Sequence, residues 1–100
     1  MRILVAEPLA REGVEILRRH HDVDEKVGLT PEDYRAILPE YDALVVRSQV
    51  KVDADMIAAG TRLIVIGRAG VGVDNVDLDA ATRAGITVVN APTGNTIAAA

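Results

Sequence analysis

No cysteine, phenylalanine or tryptophan occurs in the 100 residues of this chain, and its only aromatic rings are those of Tyr34 and Tyr41. Without cysteine there is no disulfide, no thiolate nucleophile and no thiolate metal ligand, which suits a reducing compartment; the cytoplasm is the expected location. Without Phe or Trp the core must be aliphatic, built from the Val, Ile, Leu and Ala that supply most of the apolar half of the sequence. Positive charge is also short: 11 Lys and Arg against 15 Asp and Glu give a net charge of −4. The basic residues are scattered instead of forming a stripe, which argues against a nucleic-acid partner. No apolar run approaches the ~20 residues needed to span a bilayer, so no membrane partner is expected. The Met1–Ala6 run is too short for a signal peptide and meets Glu7 at once. A chain of this length makes one domain with a real core.

Apolar segments alternate with amphipathic ones along the whole sequence. Ile3–Ala6 reads as a strand closed by Glu7-Pro8, and Leu9–His20 as a helix with Leu9, Val14 and Leu17 on one face. Asp22–Val27 reads as a half-exposed strand. Thr30-Pro31-Glu32-Asp33 is an N-cap, a proline at the first helical position and an acid near the start, opening a helix that Pro39 stops. Ala43–Val46 is apolar throughout, the mark of a central parallel strand. Asp53 caps a short helix ended by Gly60, Leu63–Ile66 is a fourth strand, Asp77–Ala84 a helix closed by Gly85, and Ile86–Val89 a fifth strand. Asn90–Asn95 reads as a loop, and Thr96-Ile97-Ala98-Ala99-Ala100 as the first turn of a helix. The expected fold is α/β: an open, parallel, five-stranded sheet with helices on both faces. A helix begun so late in the chain implies that this is the front piece of something longer.

The segment from Leu63 to Asp77 is the functional centre of this plan. A buried strand runs into Gly67-Arg68-Ala69-Gly70-Val71-Gly72, and Asp74, Asn75 and Asp77 stand where side chains cap a helix start. Strand, glycine turn and helix N-terminus together aim backbone N–H groups into one concavity that suits a carboxylate or phosphate. The spacing is not the dinucleotide fingerprint, because Asn75 stands where the third glycine belongs, and no Lys-Ser/Thr follows to make a Walker loop. A tight turn with no ligand remains an equally good reading of the glycines alone.

Glu7-Pro8, Arg47-Ser48, Arg68–Gly72 and Asn90–Asn95 all fall just past the carboxyl ends of strands, the edge where open α/β sheets bind ligands. Arg47 and Arg68 can clamp an anion there in fork geometry, against the bland alternative of pairing with surface acids. His20-His21 closes a helix, where a cation complements the dipole, and no metal is expected. Asp74, Asp77 and Asp79 lack calcium-loop spacing. A phospho-accepting receiver domain needs an aspartate after the third strand, where Arg47 stands. No nucleophilic or acid–base set is evident, so on these residues alone the chain is an anion-binding α/β module.

Val46-Arg47-Ser48, Gly67–Leu78 and Asn90-Ala91-Pro92-Thr93-Gly94-Asn95-Thr96 together resemble the D-isomer-specific 2-hydroxyacid dehydrogenases, over Ile3–Ala100. Within that family the match is closest to members that oxidise 3-phosphoglycerate to 3-phosphohydroxypyruvate in serine biosynthesis. The resemblance implies a flavodoxin-like sheet as the first segment (residues 1–94) of a substrate-binding domain. Residues 95–100 would begin a crossing helix toward an NAD-binding Rossmann domain. Carried over by position, Arg47 and Ser48 would meet the substrate's phosphate, and the N–H groups of Gly70, Val71 and Gly72 its carboxylate. Val71 would also face the nicotinamide of NAD, and Asn95 would line the substrate side of the cleft. The family's catalytic Arg, Glu and His, like its dinucleotide fingerprint, lie beyond the crossing helix, so residues 1–100 alone are expected to be inactive and the parent to be a homo-oligomer. Gln49, Val71 and Ala98 depart from residues frequent in relatives and bear on the substrate, with a glyoxylate or hydroxypyruvate reductase as the alternative.

Overall fold

The computed structural model describes residues 1–69 and 75–91. Its elements alternate: β1 (Arg2–Val5), α1 (Arg11–His20), β2 (Asp22–Glu25), α2 (Pro31–Ile37), β3 (Ala43–Val46), α3 (Ala54–Ala59), β4 (Val65–Ala69), α4 (Leu78–Arg83) and β5 (Thr87–Ala91). The five strands form one sheet in the order β2-β1-β3-β4-β5, and every neighbouring pair is parallel. This is the flavodoxin-like order. The chain winds outward from β1 to one edge, then returns past β1 to build the other half, which makes the β1/β3 junction the switch point.

Local chemistry sets the helix starts. The Thr30 hydroxyl accepts from the Asp33 N–H at 3.2 Å, Asp53 from the Met56 N–H at 2.9 Å and Asp77 from the Ala80 N–H at 3.0 Å. Each cap is worth about 1 kcal/mol. Helix α1 begins two residues later than its apolar spacing implies and has no side-chain cap; Leu9 lies before it and packs on the sheet. Helix α2 tightens into a 3₁₀ turn over Leu38–Glu40, where Pro39 removes a backbone donor.

Period-two alternation splits the strands between two cores. Leu4, Ala6, Leu44, Val46 and Ile66 point to the face covered by α2, α3 and α4, where they meet Tyr34, Leu38, Met56 and Ile57. Ile3, Val5 and Ala43 point to the other face, beneath α1. That second layer thins towards β5, where Val89 is half exposed. The chain can approach itself closely at Gly60: a Cβ there would overlap the Leu63 side chain.

Strands β4 and β5 run past the ends expected from the sequence. Strand β4 starts at Val65 and continues through Gly67-Arg68-Ala69, which local reading assigned to a glycine turn. Pairing on both sides overrides the glycine, since Gly67 lies opposite Val45 of β3 and Val89 of β5. Strand β5 likewise carries on through Asn90-Ala91, opposite Arg68 and Ala69, where a loop was expected. The domain boundary at residue 94 and the helix start at 95–100 lie outside the described residues.

Candidate functional site

The carboxyl ends of β1, β3 and β4 meet at the switch point, and one carboxylate organises them. Glu7, two residues beyond the end of β1, is only 5% exposed. Its Oε2 accepts from the Arg47 N–H at 2.6 Å and the Val50 N–H at 3.0 Å, and its Oε1 from the Gln49 N–H at 3.1 Å. Burying a carboxylate is costly unless its lone pairs are used, and here three backbone donors from one loop use them.

The same loop is held from its other side by Asn75. The Asn75 Nδ2 donates to the Arg47 carbonyl at 2.7 Å and the Val50 carbonyl at 2.8 Å. The Asn75 carbonyl accepts from the Val52 N–H at 2.7 Å, and Asp77 N–H returns to the Val52 carbonyl at 2.9 Å, so Val52 and Val76 form a small parallel bridge. Asn75 therefore is not a helix cap, as its neighbourhood in sequence implied; Asp77 caps α4, the Asn75 side chain braces the loop after β3, and Asp74 lies outside the described residues. Arg68, buried at the end of β4, donates from Nε to the Asn75 Oδ1 and fixes which way the amide points.

That placement separates the two candidate arginines. Arg68 is an interior side chain under the loop and does not share an open rim with Arg47. Arg47 is exposed, its Nη1 lying 3.4 Å from the Pro8 carbonyl, and among the described residues it makes no ion pair. Ser48 beside it is exposed too. The arrangement is a rigid backbone loop presenting a guanidinium and a hydroxyl to solvent at the ligand-binding edge, donors suited to a phosphate or carboxylate. Gly70, Val71, Gly72 and Asn95 lie outside the described residues.

Sequence reasoning missed Glu7 and Asn75 as organisers. Glu7 had a signal, an acid directly after a buried strand on the ligand-binding edge; Asn75 had none beyond its place after the glycines. Among the described residues of this edge, Glu7, Asp53 and Asp77 each accept from backbone N–H groups. Among the described residues no group of three or more His, Cys, Asp or Glu is placed to hold a metal ion. Among the described residues no helix is long and apolar enough to cross a membrane.

Residues 3–100 match the family model for the catalytic domain of D-isomer specific 2-hydroxyacid dehydrogenases. The chain is 52% identical to a D-3-phosphoglycerate dehydrogenase of Archaeoglobus fulgidus over an alignment of 101 residues, covering 100% of this chain and 19% of that protein. It is 57% identical over 100 residues to the chloroplastic D-3-phosphoglycerate dehydrogenase 2 of Arabidopsis thaliana, covering 99% of this chain and 16% of that one. Among solved structures, the NAD+-bound 3-phosphoglycerate dehydrogenase of Entamoeba histolytica shares the fold with a TM-score of 0.80 at 33% identity, over 90% of this chain and 32% of that one. The chain thus spans about a fifth of the length of the curated relatives it matches.

Proposed function

Because the chain belongs to the D-isomer specific 2-hydroxyacid dehydrogenases, we propose that it is the first part of the substrate-binding domain of an NAD-dependent D-3-phosphoglycerate dehydrogenase. In this reading residues 1–94 belong to that domain and residues 95–100 begin the helix that crosses to a dinucleotide-binding domain. The parent oxidises 3-phosphoglycerate to 3-phosphohydroxypyruvate in the cytoplasm, as a homo-oligomer, and serves serine biosynthesis. Arg47 and Ser48 hold the substrate's phosphate; the N–H groups of Gly70, Val71 and Gly72 hold its carboxylate, and Asn95 lines the cleft.

The observation that carries the phosphate assignment is the exposed Arg47-Ser48 pair on a loop whose backbone is fixed by Glu7 and Asn75. A cation held out to solvent without an ion pair among the described residues is ready for an external anion. The names borne by the relatives at about half identity support the choice of substrate.

NAD, when bound, supplies the nicotinamide that accepts a hydride from the substrate's C2. This chain's fit to it is partial. Val71 is proposed to face the ring, while Glu7, Asp53 and Asp77 are taken up by backbone donors and are not placed to hold a ribose diol. The dinucleotide is therefore assigned to another domain, together with the groups that move the hydroxyl proton, and residues 1–100 bind and orient substrate without turning it over.

The test is NADH oxidation by the full-length protein with phosphohydroxypyruvate, hydroxypyruvate and glyoxylate in parallel. A clear preference for phosphohydroxypyruvate is expected. A preference for an unphosphorylated acid would keep the family but remove the phosphate role from Arg47 and Ser48.

A further inference from the structure

We propose that Glu7 is the positioning residue of the substrate loop: its carboxylate gathers the N–H groups of Arg47, Gln49 and Val50 and so presets the conformation from which Arg47 and Ser48 meet their anion. The proposal rests on the binding role given to Arg47 and Ser48 above.

Glu7 differs from the other acids that make long-range contacts. Asp24, Glu25, Glu40 and Asp42 are partners of arginine side chains at 2.9–3.6 Å, and each pair is partly open to water. Glu7 is buried, makes no ion pair among the described residues, and directs both oxygens at the backbone of one loop. Hydrogen bonds to an ionised acceptor are roughly twice as strong as neutral ones. Three of them converge on a segment of four residues, while Asn75 takes the carbonyls of the same segment from the opposite side. Three N–H groups and two carbonyls of the loop are thereby satisfied without help from a ligand.

That leaves the Arg47 and Ser48 side chains as the parts free to bind. A loop ordered beforehand does not spend binding energy on its own ordering. Glu7 itself does not lie among the exposed groups that would touch substrate, so its effect on binding passes through the loop. Replacing Glu7 by Gln keeps the shape but turns one acceptor oxygen into a donor that faces N–H groups, which breaks part of the set. Replacing it by Asp keeps the charge and withdraws both oxygens by one methylene.

The experiment compares full-length wild type with Glu7→Gln and Glu7→Asp, well below their unfolding temperatures. It reads hydrogen–deuterium exchange over residues 47–52 and steady-state kinetics with phosphohydroxypyruvate and NADH. In whichever variant folds, exchange of the loop should quicken and the KM for phosphohydroxypyruvate should rise about tenfold. The KM for NADH should stay unchanged and kcat should stay within about twofold. Unchanged exchange and KM, or a lowered Tm with unchanged KM, overturns the proposal by making Glu7 a purely structural group. A parallel loss of kcat and of both KM values overturns it too, as general damage. If wild type does not turn over phosphohydroxypyruvate while exchange still quickens in the variants, the functional reading fails and the positioning of the loop by Glu7 stands.

Discussion

The Asn75 side-chain amide donates to the Val50 carbonyl at 2.8 Å, and through that bond the segment after β4 holds the loop after β3. The two segments are 25 residues apart in sequence and neighbours only because β3 and β4 pair in parallel. Asn75→Ala removes the donor to two carbonyls and the acceptor of the Arg68 Nε at once. Stability should fall by about 1–3 kcal/mol, read as a lowered urea midpoint with unchanged slope. A midpoint equal to wild type would show that water replaces the amide without loss.

Arg47 offers the opposite test, because it is exposed and unpaired with any described acid. Arg47→Ala should leave stability within about 0.5 kcal/mol of wild type. In the full-length protein it should cost about 1.5–3 kcal/mol in kcat/KM for phosphohydroxypyruvate and nothing comparable for glyoxylate. Equal losses on both substrates would exclude a phosphate contact.

Tyr34 anchors the far side of the same edge. Its hydroxyl lies 2.8 Å from the Lys26 carbonyl and 3.0 Å from the Ala6 carbonyl, sharing one hydrogen between them, and accepts from the Leu29 N–H at 3.3 Å. Tyr34→Phe keeps the buried ring and strands these groups at the ends of β1 and β2. A loss of about 1–3 kcal/mol in chemical denaturation is expected; a phenylalanine variant as stable as wild type would contradict the bridge.

The pH dependence of stability should be written mainly at the other end of the sheet. The Tyr41 hydroxyl donates to Asp24 at 2.7 Å, and Arg2 donates to the same oxygen at 3.1 Å while stacking 4.9 Å from the Tyr41 ring centroid. The Tyr41 bond first, and Arg2 after it, hold the Asp24 carboxyl below its ordinary 3.8 against the opposing pull of burial. Asp42 is lowered too, chiefly by the Arg2 backbone N–H at 2.9 Å. A carboxyl with a depressed folded value adds stability that is present above its unfolded value and lost as pH falls through the folded one, so stability should decline as pH drops below about 4. Tyr41 runs the other way: burial first, then Asp24, push its phenol from 10.0 up to about 12. Its stabilisation is complete below pH 10 and lost as pH rises through about 12. Tyr41→Phe should flatten the alkaline decline and shrink the acid one in urea titrations across pH; an unchanged alkaline limb would rule out Tyr41 as its source.

How far these features could be read from sequence depended on the range of the interaction behind them. Thr30, Asp53 and Asp77 act on donors three residues away, and their capping roles were legible from spacing alone. Ala43–Val46 was legible as well, because a strand covered on both faces is apolar at every position. Gly67 and Asn90 misled local reading: glycine and asparagine are turn residues by propensity, yet ladders on the neighbouring strand draw both into the sheet. Glu7 and Asn75 were invisible as a pair of braces, since their partners lie 25–43 residues away and no periodicity encodes them.

That reach has a bearing on how the domain comes into being. Glu7 precedes Arg47 by 40 residues, with α1, β2 and α2 threaded between them. The two can meet only after β1 and β3 have come side by side, so the loop has no local route to its shape. Helices α2 and α3 carry their own start signals, whereas the shape of this loop needs the assembled sheet. A chain with β3 undocked would offer an anion nothing better than a mobile arginine.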